Sequence, residues 1–310
     1  MRKIFYTVFS ISQICFLLLY PQEALAASKE GMQLWLNVLL PVLLPFLILT
    51  GILIHTNMAG KLLQPVEVIW NKVLGVSAAG AYVVIVGALC GYPVGAKITS
   101  DLYENHQISE SEAKYLLTFT NHASPVFVRT YLCHICLKDQ IPARTVFGIF
   151  ALSDLTIMLL FRFVVYRNKI QFLSADKKKK TPVSSSSGAF LDVSIMNGFE
   201  TITRLGGYIL MFSILSACIS RWYIPHSVPG YLLTGILELT TGLYRLQLLV
   251  LPDITKGMLA VFLTACGGIC ITAQTRSLVT KELSVKFYIV AKLLNGVIAV
   301  ALFLFVTKIV

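Results

Sequence analysis

The chain has 310 residues, of which 56% are hydrophobic and only 13% charged, about half the charged share of an ordinary soluble domain. Its formal net charge is +11, yet no nucleic-acid recognition element accompanies the basic residues, and Lys and Arg collect in the loops that a membrane protein keeps in the cytoplasm. A soluble enzyme and a nucleic-acid-binding domain are set aside. The expectation is an all-α polytopic membrane protein whose partners are the lipid bilayer and a small-molecule solute.

Apolar runs cover 4–20, 32–54, 73–96, 115–137, 145–161, 205–219, 228–251, 257–275 and 287–307, several of them near the roughly 20 residues that a spanning helix needs. In the first run, Arg2 and Lys3 precede an apolar core, and "ALAA" at 24–27 resembles a small-residue cleavage site. A signal peptide is one reading. The apolar core is long for a signal, which favours an uncleaved helix over 1–30 that keeps the N-terminus inside.

Lys61 and Lys72 place 57–72 on the cytoplasmic side, and Lys97 and Lys114 do the same for 97–114. The run 73–96 then enters the membrane and returns to the face it left. It is also the run broken by "LCGYPVGAK", Leu89–Lys97, where Gly91, Pro93 and Gly95 fall within five positions. Gly and Pro are the poorest residues for a helix interior. The break therefore predicts the tip or exit of a re-entrant hairpin, because non-helical backbone at membrane depth survives only where protein buries it or it lines a cavity. Lys97, closing the turn, either neutralises an anionic substrate or snorkels to the interface.

The next run holds "FTNHASPVFV", Phe119–Val128. Thr120, Asn121 and Ser124 offer donors and acceptors, and Pro125 frees a carbonyl four residues earlier. That suits a polar ligand or an ion at a helix kink; the alternative is hydrogen bonding between helices of a bundle. His122 lies in the same stretch, and one histidine does not establish proton coupling. Arg129 and Asp154, in adjacent predicted crossings, are expected to pair. "CHIC" at 133–136 has a metal-like spacing but no second ligand cluster, so its cysteines read as small buried hydrophobes, with no metal and no cofactor.

A basic, serine-rich linker, 167–200, follows the first membrane repeat at 31–166. It contains Arg167, Lys169, Lys177–Lys180 and "SSSS" at 184–187, a solvated cytoplasmic run. In the second repeat, 201–310, "LTACGGICITAQTRS" at 263–277 is broken by Gly267 and Gly268 and matches "LCGYPVGAKITSDL" in the first. Paired interrupted segments in halves of opposite orientation point to a transporter site at the repeat interface. The arrangement leaves Arg221, Arg245, Lys256, Arg276 and Lys281 outside, against the usual bias. Glu238, with Thr240 and Thr241 in "GILELTTGLY", is the stronger binding candidate of this half, ahead of Lys292. Trp35, Trp70 and Trp222 read as an aromatic belt. No GxSxG, HExxH or Walker loop occurs, so no catalytic residue and no enzyme are expected.

The stretch "GYPVGAKITSDLYENHQISESEAKYLLTFTNHASPVFV" resembles the signature region of the sporulation integral membrane protein YlbJ (SpoVV) family, within the wider nucleoside-recognition or Gate-domain membrane proteins. The likeness begins at "LWLNVLLPVLLPFLI", 34–48, and returns at "GILELTTG", 235–242. It implies a fold similar to concentrative nucleoside transporters, with two inverted-topology repeats and re-entrant helical hairpins. It also implies transport of dipicolinic acid across the mother-cell-derived forespore membrane of endospore-forming bacteria. The positions matching the signature are Gly91, Tyr92, Pro93, Gly95, Lys97, Thr120, Asn121, Ser124 and Pro125. Together with the breaks, the resemblance predicts a transporter of a small anionic or heterocyclic solute, coupled to H+ or Na+, with half-helix N-termini facing a carboxylate. A non-transporting scaffold required for sporulation is the alternative, a membrane-embedded enzyme a weaker third, and a homo-oligomer is compatible with each.

Overall fold

A computed structural model describes residues 2–167, 169–170, 187–222 and 228–309. The Lys177–Lys180 run and most of the serine run lie outside them, as do His226 and the side chain of Trp222. The described residues form helices and connecting turns, with no strand among them. In chain order they begin with α1 (Arg2–Leu19), α2 (Pro21–Leu34) and α3 (Leu40–His55), the last two joined through a π-helical turn at Trp35–Leu39. Then come the short α4 (Met58–Leu63) and α5 (Glu67–Leu74), followed by α6 (Ala78–Cys90), α7 (Val94–Glu104) and α8 (Glu110–Leu117). The one-turn α9 (Pro125–Phe127) runs into a π-helical segment, Val128–Cys136, and α10 (Ala143–Leu160) closes the first half. The second half holds α11 (Ser187–Trp222), α12 (Val228–Leu237), α13 (Leu239–Leu248), α14 (Asp253–Cys266), α15 (Gly268–Leu278) and α16 (Lys286–Ile309).

Among the described residues, five stretches are long and apolar enough to cross a membrane: Pro21–His55, Ala143–Val165, Phe190–Arg221, Asp253–Leu278 and Lys286–Lys308. Their outward faces carry exposed Leu, Ile, Val and Phe, the surface that a lipid environment demands of a helix bundle. α4 and α5 are different. The stretch they form is bent by 78° from α6 and exposes Leu62, Val68, Ile69 and Val73, the shape of a helix lying along an interface.

The break at Gly91–Pro93 is the tip of a hairpin. α6 starts with Ser77, whose hydroxyl accepts from the Gly80 amide, and Glu112 of α8 accepts from the Ser77 amide at 2.6 Å. After Gly91, at φ +75°, the chain folds back and α7 packs along α6. The hairpin is therefore shifted from its predicted limits. Its returning arm is 94–104, so Lys97 belongs to that arm and not to a cytoplasmic loop.

The segment after α8 is extended from Asn121 to Ser124 before α9 begins, which makes 110–136 an interrupted helix. In the second half the pairing differs from the predicted one. Gly267, at φ +78°, separates α14 from α15, but these two continue as a single spanning stretch, so 263–277 is an interrupted span and not a hairpin. The second hairpin is α12–α13, folded at Glu238. There a Cβ on Gly242 would overlap the backbone of Gly235. Helices packed this closely require glycine at the crossing.

Because α14–α15 crosses the bundle, its charges separate. Arg204 donates to the Ser277 carbonyl at 3.1 Å, the Thr280 amide donates to Ser100 Oγ at 3.0 Å, and Gln107 donates to the Ile54 carbonyl at 2.7 Å. Arg162 reaches the carbonyls of Val73 and Lys72. These contacts gather one end of the bundle. At the other, Gln140 meets Asp253 at 3.4 Å, Arg221 lies 3.7 Å from Glu23, and Lys256 donates to the Gln247 carbonyl. Arg276 and Lys281 thus sit at the end that carries Lys72 and Arg162, which corrects their predicted external placement.

Two outcomes are expected. In a cysteine-free background, Lys61→Cys, Glu104→Cys and Lys281→Cys should label from one membrane face and Lys138→Cys from the other; labelling of 61 and 104 from opposite faces would make α6–α7 a crossing. Gly242→Leu should lower stability by about 1–3 kcal/mol through overpacking, read as a fall in the thermal midpoint of purified protein. Gly207→Ala, with nothing within 4 Å of the added Cβ, should leave it unchanged.

Candidate functional site

The four interrupted elements meet one another. A Cβ on either Gly87 or Gly95, one on each arm of the first hairpin, would overlap the Thr120 carbonyl oxygen, and one on Gly91 would overlap the Ser124 amide. The hairpin tip is thus clasped onto the interruption at 118–124. The tip also reaches the second half. Tyr92 donates its hydroxyl hydrogen toward the Ala265 carbonyl, 3.1 Å away, with the Thr264 carbonyl at 3.4 Å; these are end-of-helix acceptors left by the break at Gly267. A Cβ on Gly267 would lie 3.1 Å from the Tyr92 ring, and one on Gly268 would lie 2.7 Å from the Ile236 carbonyl of the second hairpin.

Asn121, fully buried, closes the arrangement from the other side. Its amide nitrogen donates to Thr275 Oγ1 at 2.9 Å and to the Tyr288 hydroxyl at 3.1 Å, while its Oδ1 has no hydrogen-bond partner. The remaining residues of this stretch hold the backbone. The Thr120 hydroxyl donates to the Leu116 carbonyl at 2.9 Å. Ser124 caps α9, accepting from the Phe127 amide at 3.2 Å. Pro125 occupies the first helical position and is exposed, while Pro93 is the N-cap of α7.

Of the predicted site residues, Gly91, Tyr92, Pro93, Gly95, Thr120, Asn121 and Ser124 come together. Lys97 is drawn elsewhere. It pairs with Asp101 one turn on and lines a cavity of about 220 Å³ with Glu104, Arg204 and Ser277–Thr280. Glu238, 5% exposed, is used as a cap. Its carboxylate accepts from the amides of Thr240 at 3.1 Å and Thr241 at 2.6 Å, and from the Thr240 hydroxyl. Thr241 contributes that amide to the tip of the second hairpin.

The predicted Arg129–Asp154 pair does not form. Arg129 lies exposed on the π-helical segment and bonds Asp139 at 2.5 Å, because the interruption at 118–124 re-aims the helix that carries it. Asp139, in the loop beyond, has its carboxyl held below the ordinary value, first by the His134 hydrogen bond and then by Arg129. Cys133 and Cys136 are buried in an apolar cluster, whereas His134 faces out toward Asp139. Trp35 lies within the long Pro21–His55 helix and donates to the Ile202 carbonyl at 2.8 Å, a packing role rather than the predicted belt position.

The residue undervalued from sequence is Lys292 of α16. It is 4% exposed, and its Nζ stands 4.9 Å from the centroid of the Tyr92 ring. One turn on, Asn295 donates to Asp154 Oδ1 at 2.8 Å, and the other Asp154 oxygen lies 3.9 Å from His122 Nδ1. A lysine buried within a spanning helix is costly and needs a partner or a task. The signal was in "VAKLLNG", a cation and an amide three residues apart in an otherwise apolar run.

Comparison with known proteins gives one result that bears on the whole chain. It is 26% identical over 318 residues to the sporulation integral membrane protein YlbJ of Bacillus subtilis (strain 168), covering 90% of this chain and 76% of that protein. No protein-family model matches, and no solved structure matches. With that similarity running almost end to end, on a chain built of apolar spanning helices around a polar centre, this protein is an integral membrane protein similar to YlbJ.

Proposed function

We propose that the protein is a secondary transporter of a small anionic or heterocyclic solute, acting in sporulation as the name of its relative indicates. The observation that carries this reading is the meeting of two hairpin tips and two interrupted helices at one place, which Tyr92, Gly267 and Gly268 join. Interrupted helices are expensive in a bilayer, and transporters use them where a solute must meet unpaired backbone groups.

The order of elements supports an inverted repeat. A span (α2–α3), a hairpin (α6–α7), an interrupted helix (α8–α9) and a span (α10) recur as α11, α12–α13, α14–α15 and α16. The base of the first hairpin lies at the end of the bundle marked by Lys72 and Arg162, and that of the second at the end marked by Arg221 and Lys256. Such halves of opposite orientation suit alternating access to a central site, in the manner of concentrative nucleoside transporters. Dipicolinic acid, the substrate implied by the family resemblance, has the carboxylates that such a site would receive. H+ or Na+ would supply the coupling.

Purified protein in liposomes should take up labelled dipicolinate saturably, faster under an imposed H+ or Na+ gradient. Uptake no greater than in empty liposomes would remove the transporter reading. Asn121→Ala breaks two hydrogen bonds between halves, each worth about 1 kcal/mol, and should slow uptake by about tenfold at unchanged membrane abundance. Lys97→Gln should alter the apparent substrate constant by less than about twofold, since Asp101 already neutralises that charge.

A further inference from the structure

Lys292 stands apart from the other cations placed above. Lys97 has Asp101, Arg129 has Asp139 and Arg204 has Glu200. Lys292 is the most deeply buried of these, and among the described residues its Nζ has no carboxylate within 4.0 Å and no hydrogen-bond acceptor. Its close neighbour is the face of the Tyr92 ring, 4.9 Å to the centroid. Asp154, on the facing α10, does not supply the missing pair: Asn295 holds one of its oxygens at 2.8 Å, and the other faces His122. A buried ammonium that feels the Asp154 charge only at longer range, with an aromatic face as its close neighbour, has room for a direct anionic partner.

The helix that follows Tyr92 in the chain also lacks an anion. Tyr92 immediately precedes Pro93, the N-cap of α7, an 11-residue helix whose first turn receives no side-chain cap and contains no acidic residue. The corresponding arm of the second hairpin, α13, is capped by the Glu238 carboxylate. The start of α7 thus carries no anion of its own, and its first amide, that of Val94, is bonded to the Gly91 carbonyl at 2.9 Å.

We propose that Lys292 binds a carboxylate of the transported solute beside the Tyr92 ring. The proposal rests on the transporter reading and adds to it the residue that makes the site select an anion. Lys292 is carried on α16 of the second half and faces the hairpin tip of the first. A solute bound there links the two halves through its own charge.

The test is calorimetric titration of purified protein in nanodiscs with pyridine-2,6-dicarboxylate and with its uncharged diamide. Wild type should bind the dicarboxylate and discriminate against the diamide. Lys292→Gln should weaken dicarboxylate binding at least tenfold and erase the discrimination, whereas Lys292→Arg should keep part of both. Asp154→Asn removes a negative charge from the neighbourhood and should tighten the dicarboxylate. If Lys292→Gln does not fold, the Arg and Asp154→Asn variants carry the test, because a structural Lys292–Asp154 pairing predicts weakening in the latter. The proposal is overturned by undiminished dicarboxylate binding in Lys292→Gln, by weakened binding in Asp154→Asn, or by no dicarboxylate binding in wild type. Flux into liposomes from the same preparations separates the two readings. Lys292-dependent binding without flux removes transport and leaves the anion site, and flux that Lys292→Gln does not change removes the site and leaves transport.

Discussion

The structure depends on how main chain that is not helical is hidden inside an apolar bundle. Every interruption leaves amides and carbonyls without helical partners, and lipid offers them nothing. Here each interruption is covered by another. The Thr120 carbonyl lies between Gly87 and Gly95, Gly91 presses on the Ser124 amide, and the Ala265 carbonyl receives the Tyr92 hydroxyl. Gly268 rests against the Ile236 carbonyl of the opposite hairpin. Removing any one of these covers exposes polar backbone of the next, so the four elements form one unit of folding rather than four independent segments.

Charge is distributed over that unit unevenly. The tip of the second hairpin carries its own anion, Glu238, spent on the amides of Thr240 and Thr241. The first hairpin carries none at the start of α7, and its Lys97 is matched within its own helix by Asp101. What remains is Lys292 beneath Tyr92 and the Asp154–Asn295 contact beside it. A site assembled this way is electropositive on one side and self-neutralised on the other.

The breaks themselves were legible. Glycine and proline inside an apolar run have few uses but to interrupt it, and "GYPVG" and "TNHASP" both mark real interruptions, at Gly91–Pro93 and at 118–124. The kind of interruption was not legible. "ACGGIC" looks like "LCGYPVG", yet α14 and α15 continue in one direction while α6 and α7 fold back. Local sequence records that the helix stops, whereas the angle at which the chain resumes is set by what packs on either arm. The hairpin in "GILELTTGLY" was hidden for the converse reason. Its turn is made by a glutamate capping the next helix, so the sequence shows a polar residue where the chain in fact reverses.

From sequence alone came the membrane setting, the helical class, the two principal breaks and most of the residues gathered around the first hairpin tip. These follow from composition and from the rules of a single helix, which act over a few residues. Which charges meet was decided only in three dimensions. Arg129 and Asp154 are close in the chain but part company, because the unwound stretch at 118–124 turns the helix bearing Arg129 outward to Asp139. Tyr92 and Lys292 lie 200 positions apart in the numbering and face each other, because a hairpin of one half inserts its tip against a span of the other. Electrostatic pairing depends on distance through space, and no pattern along the chain encodes that distance.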